Sequence, residues 1–105
     1  MQKYGIVFAP TAAEDLDKIL AWLTEEAPEK VEEWFAALKE DINSLSQMPE
    51  RCPLAPENGM WGDEVIRQFL FQQYPSKYRI LFTINGESVR ILNVRHGARR
   101  FLHEE

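Results

Sequence analysis

Apolar residues recur at helical spacing soon after the N-terminus of the chain. Leu16, Ile19, Leu20 and Leu23 fall at i, i+3, i+4 and i+7, which is one stripe of an amphipathic helix. Thr11-Ala-Ala-Glu14 precedes the stripe and fits a capping box, with the Thr11 hydroxyl expected on a free amide of the first turn. The helix is expected to end near Glu26, because Ala27 precedes Pro28 and that position disfavours helix. Pro28 suits the first turn of a second helix, and Glu29, Glu32 and Glu33 favour its N-terminus through the dipole. Val31, Trp34, Phe35, Leu38, Ile42, Leu45 and Met48 keep a three-to-four spacing up to Pro49. So short a connection predicts an antiparallel helical hairpin.

Period-two runs flank this pair. Tyr4–Phe8 reads as a short strand and Val65–Phe71 as another, with Arg67, Phe69 and Phe71 on one face and Ile66, Gln68 and Leu70 on the other. Residues 78–96 read as two strands joined at Asn85-Gly86, the strongest short hairpin signal. A two-residue turn there pairs Ile84 with Glu87, Phe82 with Val89, Ile80 with Ile91 and Tyr78 with Asn93. Arg79, Leu81 and Thr83 then share the other face with Arg90, Leu92, Val94 and His96. A four-residue loop with a bulge is the alternative that shifts this register. Between helices and strands lies Pro49–Gly62, a loop with three prolines and two glycines, in which Met60 and Trp61 are expected to act as anchors. The order strand, helix, helix, strand, strand, strand predicts an α+β fold. An N-terminal strand and a two-helix hairpin pack on a mainly antiparallel four-stranded sheet, as a single domain over residues 1–105.

Composition adds three points. With 105 residues the chain can bury a modest core without staples. One cysteine, Cys52, makes no internal disulfide; with neither a signal-peptide pattern nor a membrane-length apolar run, this sets a cytoplasmic expectation. The net charge of −5 is unevenly spread. Residues 1–50 hold four Lys and eleven acidic residues, whereas residues 51–105 hold seven Arg, one Lys and six acidic residues. Arginine is suited to forked contacts with phosphate and carboxylate, so the second half is matched to an anionic partner.

The chemistry on offer is narrow. Cys52, His96 and His103 do not make a metal site, and no Gly-rich phosphate loop or nucleophile elbow occurs, so neither a metal nor another cofactor is expected. The carboxylates cluster on the helices, which argues against a paired-carboxylate hydrolase. There remain Arg51, Arg67, Arg79, Arg90, Arg95, His96 and Arg99. Arginines with a histidine are the minimum for metal-free RNA scission by a 2′-hydroxyl: they bind phosphate, stabilise developing charge and move a proton. Each also has a plainer role, a strand arginine paired with a carboxylate or a histidine at a strand end.

The element order, the opening FAPTAAEDLDKILAWL, the loop PERCPLAPEN, and VIRQFLF, YRILFTINGESVRILNV and RHGARR together resemble the RelE/ParE superfamily, the toxins of type II toxin–antitoxin, or plasmid-stabilisation, modules. The resemblance covers nearly the whole chain. It implies a cognate antitoxin that wraps and blocks the toxin, with DNA contacted only through the antitoxin. It also implies one of two targets: mRNA on the ribosome, cut by an endoribonuclease, or DNA gyrase, inhibited without catalysis. A detoxified protein-binding module of the same fold is the third possibility. In the nuclease reading Arg67 and Arg79 match family strand arginines and are catalytic with His96, while Arg51, Arg90, Arg95 and Arg99 bind the target. The chain departs from that pattern: no tyrosine follows Tyr78, Phe101 stands in the tail, the loop offers only Arg51, and the protein is acidic.

Overall fold

The computed structural model describes residues 3–73 and 76–96. Strand β1 (Gly5–Phe8) leads into helix α1 (Pro10–Glu26) and, after a 3₁₀ turn at Pro28–Lys30, helix α2 (Val31–Asn43). A long connection reaches β2 (Arg67–Gln73), β3 (Ser76–Asn85) and β4 (Ser88–His96). The sheet order is β1-β4-β3-β2; β1 runs parallel to β4 and the other pairs are antiparallel. The expected α+β architecture is therefore present.

Both helices cover one face of the sheet, here the inner face. Trp34, Leu38, Ile42 and Leu45 are buried at a four-four-three spacing against Phe71, Tyr78, Ile80, Phe82, Val89 and Ile91. The Trp34 ring meets Phe71 and Tyr78 edge-on, each at 5.5 Å between centroids. The stripe does not extend to Met48, which sits at φ 50°, outside the helix, and is mostly exposed. A smaller core of Ala55, Ile66, Leu81 and Leu92 lies on the outer face, under the connection from α2 to β2.

Thr11 does not cap its helix. The helix begins at Pro10 with Ala9 as N-cap and no side-chain cap bond. The Thr11 hydroxyl donates instead to the Leu92 carbonyl at 2.6 Å, and the Asp15 carboxylate accepts from the Val94 amide at 3.0 Å. The reason is topological: β1 ends at Phe8, so among the described residues the far half of β4 has an edge without a strand partner. Side chains of α1 supply the missing hydrogen bonds, and an unmade bond there would leave a polar backbone group unsatisfied.

The hairpin also departs from its expected register. Asn85 pairs with Ser88, Ile84 with Val89 and Phe82 with Ile91, so the turn residues are Gly86 and Glu87. Gly86 takes φ 62° and Asn85 is not in the positive-φ region, which fits a Gly-X loop rather than an Asn-Gly one. Past Phe82 the register shifts: Leu81 faces Asn93, and Leu92 is the extra residue of a bulge. Val94 consequently turns to the inner face, Arg95 pairs with Arg79, and His96 pairs with Tyr78.

Candidate functional site

The bulge decides which candidate side chains meet. Arg79 and Arg95 are directly opposite on β3 and β4, on the outer face, and the exposed Arg90 shares that face opposite Thr83. His96 instead stands on the inner-face side beside Tyr78, its ring edge-on at 5.5 Å. Arg67 opposes Phe82 and belongs to the inner-face set with Phe69 and Phe71, so it and Arg79 occupy opposite faces of the sheet. Arg99 lies outside the described residues. The expectation of Arg79, Arg90 and His96 on one face thus holds for the arginines and not for the histidine.

Four of these arginines make internal contacts. Arg51 donates to the carbonyls of Ser44, Gln47 and Met48 and to the Ser44 hydroxyl, closing the C-terminal end of α2 where free carbonyls and the helix dipole favour a cation. Arg67 donates to the Cys52 carbonyl at 2.7 Å and the Glu50 carbonyl at 3.3 Å, tying the start of β2 to the preceding turn. Arg79 makes a forked pair with Glu57, Nη1 to Oε1 at 3.1 Å and Nη2 to Oε2 at 2.8 Å, and also donates to Gln68 Oε1 at 3.2 Å. Glu57 is fully buried and Arg79 is 6% exposed, so this is an ion pair removed from water. Arg95 lies 3.5 Å from the Asp15 carboxylate. Two like charges opposite each other on neighbouring strands repel, and here each faces a carboxylate from another element.

Sequence reasoning missed Glu57, which is 22 residues from Arg79 in an irregular segment. Its signal was weak: one of two acidic residues, with Glu50, in a proline-rich loop. The loop's anchors are also not those expected. Met60 and Trp61 are about half exposed, while Ala55 and Glu57 go inward. Cys52 is buried as an apolar filler, and that burial pushes its thiol above the ordinary value. Tyr4 donates its hydroxyl to Glu50 at 3.0 Å, and the neighbouring carboxylate raises the phenol.

A second feature is apolar. Ile6 and Phe8 of β1, Leu16 and Leu20 of α1, and Phe35 and Leu38 of α2 line an open groove of about 480 Å³. Asp17, Lys39 and Asn43 are its polar members, and Lys39 Nζ sits 5.1 Å from the Phe35 ring centre. The groove exists because the α1 stripe is only partly used: Leu23 is fully buried, whereas Leu16, Ile19 and Leu20 remain half-buried. Among the described residues no group of acidic, His and Cys side chains could hold a metal ion, and no helix is long and apolar enough to cross a membrane.

Comparison with known proteins agrees with the architecture. The family model described as the ParE toxin of the type II toxin–antitoxin system, parDE, matches residues 6–101. Among solved structures, a chain of the "Chromosomal ParDE TA system from P. aeruginosa" has a TM-score of 0.70 at 20% identity, covering 90% of this chain and 96% of that one. At that identity the likeness is one of fold. No curated protein matches. The family match, spanning most of the chain and joined to the observed fold, establishes that this protein belongs to the ParE toxin family of type II toxin–antitoxin systems.

Proposed function

We propose that this chain acts by binding and inhibiting a protein, with DNA gyrase as the target, and that it does not cleave mRNA. The observation that carries the reading is the placement of the would-be catalytic set. Arg67 and Arg79 are on opposite faces, Arg79 is engaged by Glu57, and His96 is on the face away from Arg79. A phosphate clamp needs its cations and proton donor around one point, within hydrogen-bond reach. Membership of a type II module implies an antitoxin partner, and the groove between β1, α1 and α2 suits an amphipathic antitoxin segment.

The test is addition of the purified protein to a gyrase supercoiling reaction and, in parallel, to translating ribosomes. The expected result is loss of supercoiling with intact mRNA. Cleaved ribosome-associated mRNA with normal supercoiling would refute the reading and return Arg67, Arg79 and His96 to a catalytic role.

A further inference from the structure

Residues 53–66 cross the outer face of the sheet as turns and bends, without a helix or a continuous strand. This strap is packed in an unusual sense. Four of its five large apolar side chains, Leu54, Met60, Trp61 and Val65, are 43–52% exposed, while Ile66 at its end, Ala55 and the Glu57 carboxylate go inward. Its base is tied by backbone: Ala55 N to Ile66 O at 2.8 Å and Gln68 N to Pro53 O at 3.0 Å. The Asn58 side chain accepts from the Ile66 amide at 2.8 Å. Further out, Gly59 and Gly62 both take φ 91°, a conformation that suits glycine and turns the chain sharply. Glu57 brings the middle of the strap down onto Arg79.

The seat beneath Glu57 has the form of an oxyanion site. The Arg79 guanidinium presents two donors to one carboxylate, Gln68 lines the same seat, and Arg95 stands across the strand pair with Asp15 beside it. Among the described residues the Arg79 Nε is buried with no hydrogen-bond partner, so the guanidinium retains donor capacity that Glu57 does not use. A guanidinium fork accepts a phosphate-type anion with the same geometry as a carboxylate, and the greater charge of phosphate is favoured where two arginines face one another.

We propose that residues 53–66 form a latch over this site, with Glu57 as its built-in occupant, and that a small phosphate-bearing anion displaces Glu57 from Arg79 and lifts the strap. The device is independent of the target proposed above. It makes the strap, with its exposed Met60 and Trp61, a segment whose position depends on which anion Arg79 holds.

Native-state amide exchange on the full chain tests it, in inorganic phosphate against chloride at matched ionic strength, with a nucleoside monophosphate as a second arm. The amides of Ala55, Asn58, Met60 and Ile66 report the strap, and those of β3 and β4 report the sheet. Stabilising the open form multiplies its population by one plus ligand over dissociation constant, so phosphate at ten times that constant speeds strap exchange roughly tenfold and leaves the sheet unchanged. An effect in the second arm alone identifies the anion as nucleotide-borne. The variant Glu57→Met/Arg79→Met, which removes both charges together, is expected to lose the dependence on phosphate. Equal strap exchange in chloride, phosphate and nucleotide overturns the latch, as does an anion dependence that persists in the double variant.

Discussion

Glu57→Gln is the substitution that most directly tests how the outer face is held together. It keeps the shape of the side chain and removes its charge, leaving the Arg79 guanidinium almost fully buried and short of its carboxylate. Removing one partner of a buried pair costs about 3–5 kcal/mol, because the remaining charge is desolvated and uncompensated. The introduced amide can still accept one hydrogen bond and Gln68 already accepts another, so the lower part of that range, about 3 kcal/mol, is expected. A domain of this size has about 5–15 kcal/mol in all, and each kcal/mol moves the melting point by about 4–8 °C. The variant should therefore remain folded at 25 °C but melt at least about 12 °C lower. Urea unfolding of the wild type, Glu57→Gln, Arg79→Met and the double variant Glu57→Met/Arg79→Met completes the test. Because the double variant leaves no buried charge, it should recover most of the loss. A Glu57→Gln cost under about 1 kcal/mol would mean that the pair is effectively hydrated, and a double variant as unstable as either single one would mean that packing, not charge, dominates.

Three further outcomes are expected. Trp34→Ala removes the fully buried ring that contacts Phe71 and Tyr78 and should cost about 3–5 kcal/mol in the same urea assay; a loss under about 1 kcal/mol would place the core elsewhere. Thr11→Val deletes the hydroxyl bonded to Leu92 and should cost about 1 kcal/mol while Thr11→Ser costs less; equal stability of all three proteins would remove Thr11 from the edge of β4. Burial raises the Cys52 thiol in the folded state, so the unfolded chain loses that proton first. Stability should be complete below the ordinary thiol range and fall as pH rises through it, and Cys52→Ala should flatten the slope in pH-dependent melting; an unchanged slope excludes Cys52 as its source.

What could be read from the chain and what could not divide along the range of the interactions. Leu23, Trp34, Leu38 and Ile42 mark the helices because a helix repeats its inward face over neighbouring residues, and tertiary packing reinforced that pattern. The strands were equally visible in Phe69, Phe71, Ile80, Phe82, Val89 and Ile91, all of which pack on the inner-face core. The hairpin register was not. The Asn-Gly preference is local, whereas the observed Gly86-Glu87 turn also sets Ile84 against Val89 and Phe82 against Ile91 on the helix side. The shift between the two turns is an even number of residues, so face parity survived until the bulge at Leu92 reversed it for Val94, Arg95 and His96. Thr11 was misplaced for a related reason. Its capping-box pattern was real, but a strand edge 81 residues away offered a carbonyl that no other strand satisfies among the described residues.

The candidate site follows the same logic and changes the meaning of the charge asymmetry. An acidic first half and an arginine-rich second half resemble the footprint of an anionic ligand when charges are summed along the chain. In the fold, Asp15 of the first half lies beside Arg95, and Glu57, an isolated acid of the second half, lies against Arg79. Arg51 and Arg67 face carbonyls at the end of α2 and in the turn that follows. These contacts use arginine as a multidonor clamp for irregular chain, where a strand or helix cannot satisfy the backbone. Among the described residues Arg90 is the exposed arginine of the hairpin, and a lone exposed arginine there on an acidic protein is a poor basis for steering nucleic acid. The inner side offers the contrasting surface, an apolar groove bounded by two acidic helices. Recognition based on burial of apolar surface depends weakly on salt, whereas recognition by phosphate contacts depends steeply on it, so the salt dependence of target binding bears directly on which surface the toxin uses.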